Sequence, residues 1–495
     1  MKYEEYRRYD GLGLAELINS KEVSPREVVD AAIARAHQVN PKVNALTFET
    51  FDIARQEAEK DLPPGPFKGV PFLIKDLGLH VKGMPLSQGS GACKGKYHPD
   101  FDDHLIQRYR QAGLVFCGRT STPEFGLMGF TEPDAFGATR NPWNLNHTPG
   151  GSSGGAGAAV AAGIVPIASA SDGGGSIRIP AAACGLFGLK PSRGRTPLGP
   201  SRGEGWDGAA VCHVVTRTVR DSAAILDATS GYAPGGPYSI APPETTFLKA
   251  LSAAPRPLKI GYTTRSPIDT PVDKEVKQAL ESTVELLREM GHTLIRQEPD
   301  IDGMELARAY LTMYFGHVAA DVRWIRKEFG DNAVEDLEDT SRLLALIGEA
   351  LPAGEFVERK RRWNYFSHQM ATFHETYDLY LTPTKAALPA KIGELKPDRA
   401  KEILIKGFLK LGSAKLLIAI GLVEKMAKEN LARTPFTQLA NLTGQPAMSI
   451  PLGRSSSGLP IGIQFVAPFG DEATLFSLAA RLEEARQWAD LEPAL

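Results

Sequence analysis

Two serines sit in glycine-rich surroundings, Ser152 in Gly150-Gly151-Ser152-Ser153-Gly154 and Ser176 in Asp172-Gly173-Gly174-Gly175-Ser176, 24 residues apart. Lys75 closes the apolar run Gly69 to Ile74 (GVPFLI) and precedes Asp76. A serine hydroxyl is a weak nucleophile until a base takes its proton, so these residues raise one chemical question: which base serves which serine. A histidine base would fit the G-x-S-x-G pattern of Gly150 to Gly154, with an acid and a histidine required further along the chain. That pattern arises readily in any run of glycine and serine, and the late histidines His292, His317, His368 and His374 lie outside any glycine-bounded loop. A lysine base needs an ammonium desolvated enough to lose its proton near neutral pH, which burial can achieve. Lys75, following an apolar strand, is the candidate.

Several elements must position these groups. Ser24-Pro25-Arg26-Glu27 is a capping box with proline at the first helical position, and "EVVDAAIARAHQVN" continues with helical apolar spacing. Pro63-Pro64 break the next helical stretch, and Val70 to Ile74 reads as a short strand that delivers Lys75 to a loop. Gly113 to Thr122 and Gly163 to Ser171 read as buried strands, with the small-residue helix "SSGGAGAAVAAG" between them. Strand, helix and strand in alternation predict an α/β sheet. The Pro- and Gly-rich stretch Gly231 to Thr246 is a surface connection before the strand "PLKIGYTT". Residues from about 303 to 433 are read as largely helical, with Lys401 to Ala432 alternating lysine and apolar residues either as a solvated cover or as a lid touching an apolar substrate or lipid. "FTQLANLTGQPAMSIPLG" and "LPIGIQFVAP" are expected to return as strands, and "DEATLFSLAARLEEARQW" as a closing helix.

Three motifs, "KGVPFLIKD" (Lys68 to Asp76), "GGSSGGAGAAVAAG" (Gly150 to Gly163) and "SDGGGSIRIPAAACGLFGLKPSRGR" (Ser171 to Arg195), together resemble the amidase signature family, serine hydrolases with a Ser-cisSer-Lys triad. The resemblance runs from Ser20 to Pro468, nearly the whole chain. It implies an α/β amidase signature fold, a large mixed twisted sheet covered by helices on both faces. One domain would span 1–495, with catalytic motifs in 63–230, a helical cover or lid in 303–433, and a return to the core in 434–495.

By the same resemblance Lys75 is the base, Ser152 the cis-peptide serine and Ser176 the nucleophile. Backbone N–H groups of Gly173, Gly174, Gly175 and Ser176 would form the oxyanion hole, and Ser153, Asp172 and Arg178 would brace the loops. Met128, Gly129 and Phe130, in "GLMGF", would line the substrate pocket, with core packing as the alternative role for either side chain. Lys75 would take a proton from Ser152 and Ser152 one from Ser176, with no metal or cofactor. The implied substrates are uncharged, bulky or apolar amides, such as aryl amides, 6-aminohexanoate oligomers or carbamates. Gly173 and Ala156 depart from the residues common in relatives, and Gly173 would loosen the oxyanion loop. Rival readings are the A subunit of a tRNA-dependent amidotransferase, an α/β-hydrolase esterase, and a non-catalytic protein that holds an anion in its glycine loops.

Composition narrows the partners. Lys plus Arg, 56, nearly cancels Asp plus Glu, 58, so no global field favours nucleic acid or an anionic membrane, and a small molecule is the expected partner of a monomer or homodimer. Cys93, Cys117, Cys184 and Cys212 are far apart without a CxxC pair and read as reduced. "MKYEEYRRYDGLG" lacks the apolar core of a signal peptide, which makes a cytoplasmic enzyme the expectation. The longest apolar run, Leu416 to Val423, is far short of the roughly 20 residues that span a bilayer.

Overall fold

The protein is described by a computed structural model that covers residues 1–254, 256–412 and 428–495. The predicted capping box forms: Ser24 Oγ accepts from the Glu27 N–H and the Glu27 carboxylate accepts from the Ser24 N–H, opening the helix Pro25–Val43. The chain then builds, among the described residues, one mixed sheet from β1 (Leu46–Glu49), β2 (Pro71–Lys75), β3 (Val115–Thr120), β4 (Ile167–Asp172), β5 (Phe187–Lys190), β6 (Val211–Thr216), β7 (Lys259–Tyr262), β8 (Thr293–Arg296), β9 (Leu379–Pro383), β10 (Ala447–Arg454) and β11 (Pro460–Val466). Their spatial order is β1-β3-β2-β4-β6-β5-β10-β11-β9-β7-β8.

Alternation along the strands shows why helices cover both faces. Leu73, Val115, Cys117, Ala168 and Val215 pack with the helices Pro25–Val43, Gly154–Ala161 and Arg178–Cys184. Their neighbours Phe72, Ile74, Phe116, Ile167 and Val214 face the opposite side, against the helices Gly11–Asn19, His104–Gln111 and Val219–Thr229. A strand buried on both sides must be apolar throughout, as the fully buried β2 is until Lys75. The helix Gly154–Ala161 consists of glycine, alanine and one valine and is wholly buried. A Cβ at Gly155 would overlap the Ser121 backbone, so only glycine lets this helix approach β3 so closely.

Two expectations need adjustment. The 303–433 segment, read as largely helical, also supplies a strand: after the helices Gly303–Phe329, Asp339–Glu349 and Ala353–His374 comes β9, a fully buried strand between β11 and β7. Helical periodicity in the flanks hid the five residues Leu379–Pro383, whose ladder partners lie far away in sequence. "FTQLANLT" is likewise not a strand but contains the short helix Gln438–Thr443, ended by Gly444 at φ +78. From the lysine-rich stretch, the helix Arg399–Leu411 buries no residue fully, while Ile405, Phe408 and Leu409 rest on the helical cluster. Residues 413–427, including the apolar run, lie outside the described residues. Among the described residues no helix is long and apolar enough to cross a membrane.

Candidate active site

β2 and β4 are parallel neighbours, with Phe72 opposite Ile167 and Leu73 opposite Ala168, so their carboxyl ends open on the same edge of the sheet. Loops at the carboxyl ends of parallel strands are where α/β proteins hold their ligands. Lys75 ends β2, Asp172 ends β4, and the glycine loop carrying Ser176 follows immediately. Ser152 arrives from the third side, on the loop that leads into the helix Gly154–Ala161. The Gly151–Ser152 peptide is cis.

The structure brings Lys75 and Ser152 into direct contact. Lys75 Nζ lies 2.7 Å from Ser152 Oγ and 2.9 Å from Ser171 Oγ, and the Lys75 side chain is shut away from solvent. Burial lowers its pKa to about 7, outweighing the opposing pull of Cys212 and Asp172. A lysine so placed is partly neutral at physiological pH, and its free lone pair can accept a proton from Ser152. The serine hydroxyls Ser169 and Ser171, on alternate residues of β4, hold the Lys75 backbone N–H and side chain respectively. Neither was expected from sequence; the signal was present in the polar alternation of "IASAS", once β4 is known to lie beside β2.

Ser176 is half-buried in a loop whose other residues are mostly enclosed. Its carbonyl accepts the Ser153 N–H at 3.3 Å, which ties the Ser176 loop to the Ser152 loop. The Ser153 Oγ lies 3.3 Å from both the carbonyl and the N–H of Ser171, a second tie between the same segments. Asp172 braces the loop from inside: its carboxylate accepts the Gly175 N–H at 2.7 Å and the Ile177 N–H at 3.2 Å. Gly175 therefore leaves the set of expected oxyanion donors, since its N–H is already engaged within the loop. Gly173, Gly174 and Ser176 remain.

Arg178 lies against Asp172 through a two-pronged ion pair at 2.9 Å, both side chains without solvent exposure. Burial alone would raise the Asp172 carboxyl; the Arg178 charge and the hydrogen bonds from Arg178 and Asn441 reverse that and hold it far below the usual carboxylate range. Arg178 also donates to the Thr437 carbonyl, Gln464 Oε1 and Asn441 Oδ1. Asn441 donates to Asp172 and to the Ala209 carbonyl, and Thr437 Oγ1 donates to the Gly174 carbonyl. These C-terminal residues were missed because nothing in the linear sequence joins 437–464 to 172–178.

Met128 and Phe130 are half-buried and Gly129 is exposed, their backbone running close against Gly151. Met128 packs on the helical cluster that includes Tyr310 and Tyr314. Among the described residues no hydrogen bond joins a histidine to Ser152 or Ser176; His213 pairs with Ser222, His317 with Asp207, and His374 with the Tyr377 carbonyl.

A family profile described as Amidase matches residues 27–476. The chain belongs to the amidase family. It is 37% identical over 493 residues to a 6-aminohexanoate-cyclic-dimer hydrolase of Pseudomonas sp. (strain NK87), covering 98% of this chain and 96% of that one. A solved structure of a 6-aminohexanoate cyclic dimer hydrolase superposes with a TM-score of 0.88 at 34% identity, over 98% of both chains. A bacterial aryl acylamidase belonging to the amidase signature enzymes superposes at 0.84 with 26% identity, over 97% of this chain and 98% of that one. The mixed sheet with helices on both faces is thus the amidase signature fold, and this amidase is a hydrolase of carbon–nitrogen bonds in small molecules.

Proposed function

We propose that this amidase cleaves uncharged, bulky or apolar amides, and the related carbamates, through an acyl-enzyme on Ser176. The observation that carries the reading is the buried Lys75 Nζ, lowered to about 7 and 2.7 Å from Ser152 Oγ. Neutral Lys75 takes the Ser152 proton as Ser152 takes that of Ser176, and Ser176 Oγ forms the new bond to the substrate carbonyl carbon. The carbonyl oxygen becomes an anion facing the N–H groups of Gly173, Gly174 and Ser176, donors fixed before reaction begins. As the intermediate collapses, the proton returns through Ser152 to the leaving nitrogen, the C–N bond breaks and the amine departs. Water then attacks the ester along the same route and frees Ser176. Ser153, Asp172 and Arg178 act by holding the two serine loops in place.

The apolar cluster beside Met128 and the likeness to hydrolases of cyclic amide dimers and aryl amides support the substrate class. We read 1–495 as one amidase signature domain, a reading supported by the one sheet that, among the described residues, draws strands from Leu46 to Val466, and we take the protein to act alone or as a homodimer. The four buried free cysteines favour a reducing, cytoplasmic setting. The test compares release of p-nitroaniline and p-nitrophenol from matched acyl anilide, acyl ester and aryl carbamate probes by wild type and Ser176→Ala. Cleavage of anilide and carbamate by wild type alone is expected. Ester cleavage alone, or anilide cleavage that survives Ser176→Ala, would overturn the assignment.

A further inference from the structure

The three glycines before Ser176 have no side chains, and a side chain from elsewhere closes on each. A Cβ on Gly174 would overlap Tyr310 Oη, and one on Gly175, at φ +122, would lie 2.5 Å from Thr437 Oγ1. A Cβ on Gly173 would lie 2.8 Å from Trp206 Cε3 and 3.0 Å from Cζ3. The space that a side chain on Gly173 would occupy is thus filled by the Trp206 ring. Tyr310 and Thr437 are buried, whereas Trp206, beside Gly173, is only half-buried.

The backbone under Trp206 is unusual. Trp206 and Asp207 have φ of +50 and +51 in a turn where the Gly208 N–H donates to the Gly205 carbonyl at 3.0 Å. Consecutive left-handed residues in such a turn favour Asn-Gly, and a bulky tryptophan there conflicts with local preference. Such conflicts persist where surrounding contacts enforce them and concentrate at functional sites. Here the enforcement is visible: Lys360 Nζ donates to the Asp207 carbonyl at 2.7 Å, Arg193 Nε to the Gly208 carbonyl at 2.6 Å, and His317 Nε2 meets Asp207 Oδ2 at 3.3 Å. The indole stands edge-on to Tyr314, ring centres 5.6 Å apart at 89°, and Tyr314 Oη donates to the Leu127 carbonyl, one residue before Met128. An aromatic wall thus runs from the oxyanion loop to the "GLMGF" segment.

We propose that Trp206 is a specificity-determining residue, a flat wall beside the scissile carbonyl that selects amides and carbamates bearing a planar aryl group, and that Gly173 lacks a side chain in order to admit it. The inference rests on the site assignment above and adds to it the feature of the substrate that is read. Offset stacking on an indole favours an aryl group over an alkyl group of similar size.

The experiment measures kcat/KM for the p-nitroanilide and the N-butyl amide of one carboxylic acid. In W206A the anilide-to-alkylamide ratio is expected to fall by about tenfold, and in W206F to stay within about threefold of wild type, the scale of one aromatic contact. G173A, by displacing the ring, is expected to lower the ratio in the wild type but to have little effect on it in the W206A background. A second readout needs no turnover: in the Ser176→Ala protein the p-nitroanilide should quench indole fluorescence, and adding W206F should remove most of that quenching. An unchanged ratio in W206A, an equal effect of G173A in both backgrounds, or quenching that survives W206F would each overturn the proposal. Absence of amide cleavage by wild type would instead sink the functional reading, and the quenching would still decide the role of Trp206.

Discussion

The edge of the sheet that carries Lys75, Ser152 and Ser176 and the helical layer that faces it are built in opposite ways. At the sheet edge, glycine, serine and alanine bring backbones together so tightly that Gly151 and Gly155 each face main-chain atoms where a Cβ would stand. In the helical layer, large side chains such as Tyr310, Tyr314, Phe315 and Trp363 fill space from a distance. The difference teaches where chemistry and selection reside. The proposed proton relay would tolerate little displacement of its atoms, and close-packed backbone and buried ion pairs suit that demand. Recognition of an apolar substrate needs only a surface of the right shape, which side chains on helices supply.

If that division holds, substitutions at the sheet edge should abolish turnover and those in the facing layer should redistribute it among substrates. The largest effect is expected from Ser176→Ala, a loss of anilide turnover on the order of 10⁴ or more with an unchanged circular dichroism spectrum. Lys75→Met should cost about 10²–10⁴ in kcat, the usual worth of a positioned base. The wild-type profile of kcat/KM should fall as pH drops below about 7, where Lys75 takes on a proton and can no longer accept one.

The same lysine sharpens the contrast through stability. Its folded pKa, about 7, lies below the unfolded value of roughly 10.4, so the unfolded chain binds more protons between those pH values and stability rises with pH across that window. Lys75→Met should therefore unfold at higher denaturant than wild type, with the gain full below pH 7 and fading toward pH 10. An inactive variant that is more stable would mark the sheet edge as built for chemistry at a cost in stability.

Asp172→Asn should destabilise the fold by about 3–5 kcal/mol in urea unfolding, because Arg178 would keep its charge without solvent or a matching carboxylate. The smallest effect is expected from Met128→Ala: KM for a bulky anilide raised by about tenfold or less with kcat nearly kept, read by steady-state kinetics. A Met128→Ala variant with collapsed kcat and unchanged KM would break the division between the two regions.

Much of the sheet edge was legible because its signals are local. Lys75 at the end of an apolar strand and two serines set in glycine are visible in short windows, but their pairing was implied only by the family resemblance; in the structure Lys75 Nζ lies 2.7 Å from Ser152 Oγ. The exception is instructive. The loop before Ser176 was expected to offer four oxyanion N–H groups, but the Gly175 N–H turns inward to Asp172, a choice made by the position of the Asp172 carboxylate rather than by glycine content. The helical layer was legible only as helix. Its periodicity concealed β9, whose hydrogen bonds run to β11 and β7.

By itself the sequence determined the capped helix at Pro25–Val43, the alternation of strands and small-residue helix, and the residue types able to perform acyl transfer, since caps, periodicity and glycine clusters act over a few residues. Tertiary structure alone decided that Lys75 would be buried enough to be lowered to about 7, that Arg178 would meet Asn441 and Gln464, and that Trp206 would close on Gly173. Desolvation and packing depend on what arrives from distant parts of the chain, and no local window contains those partners.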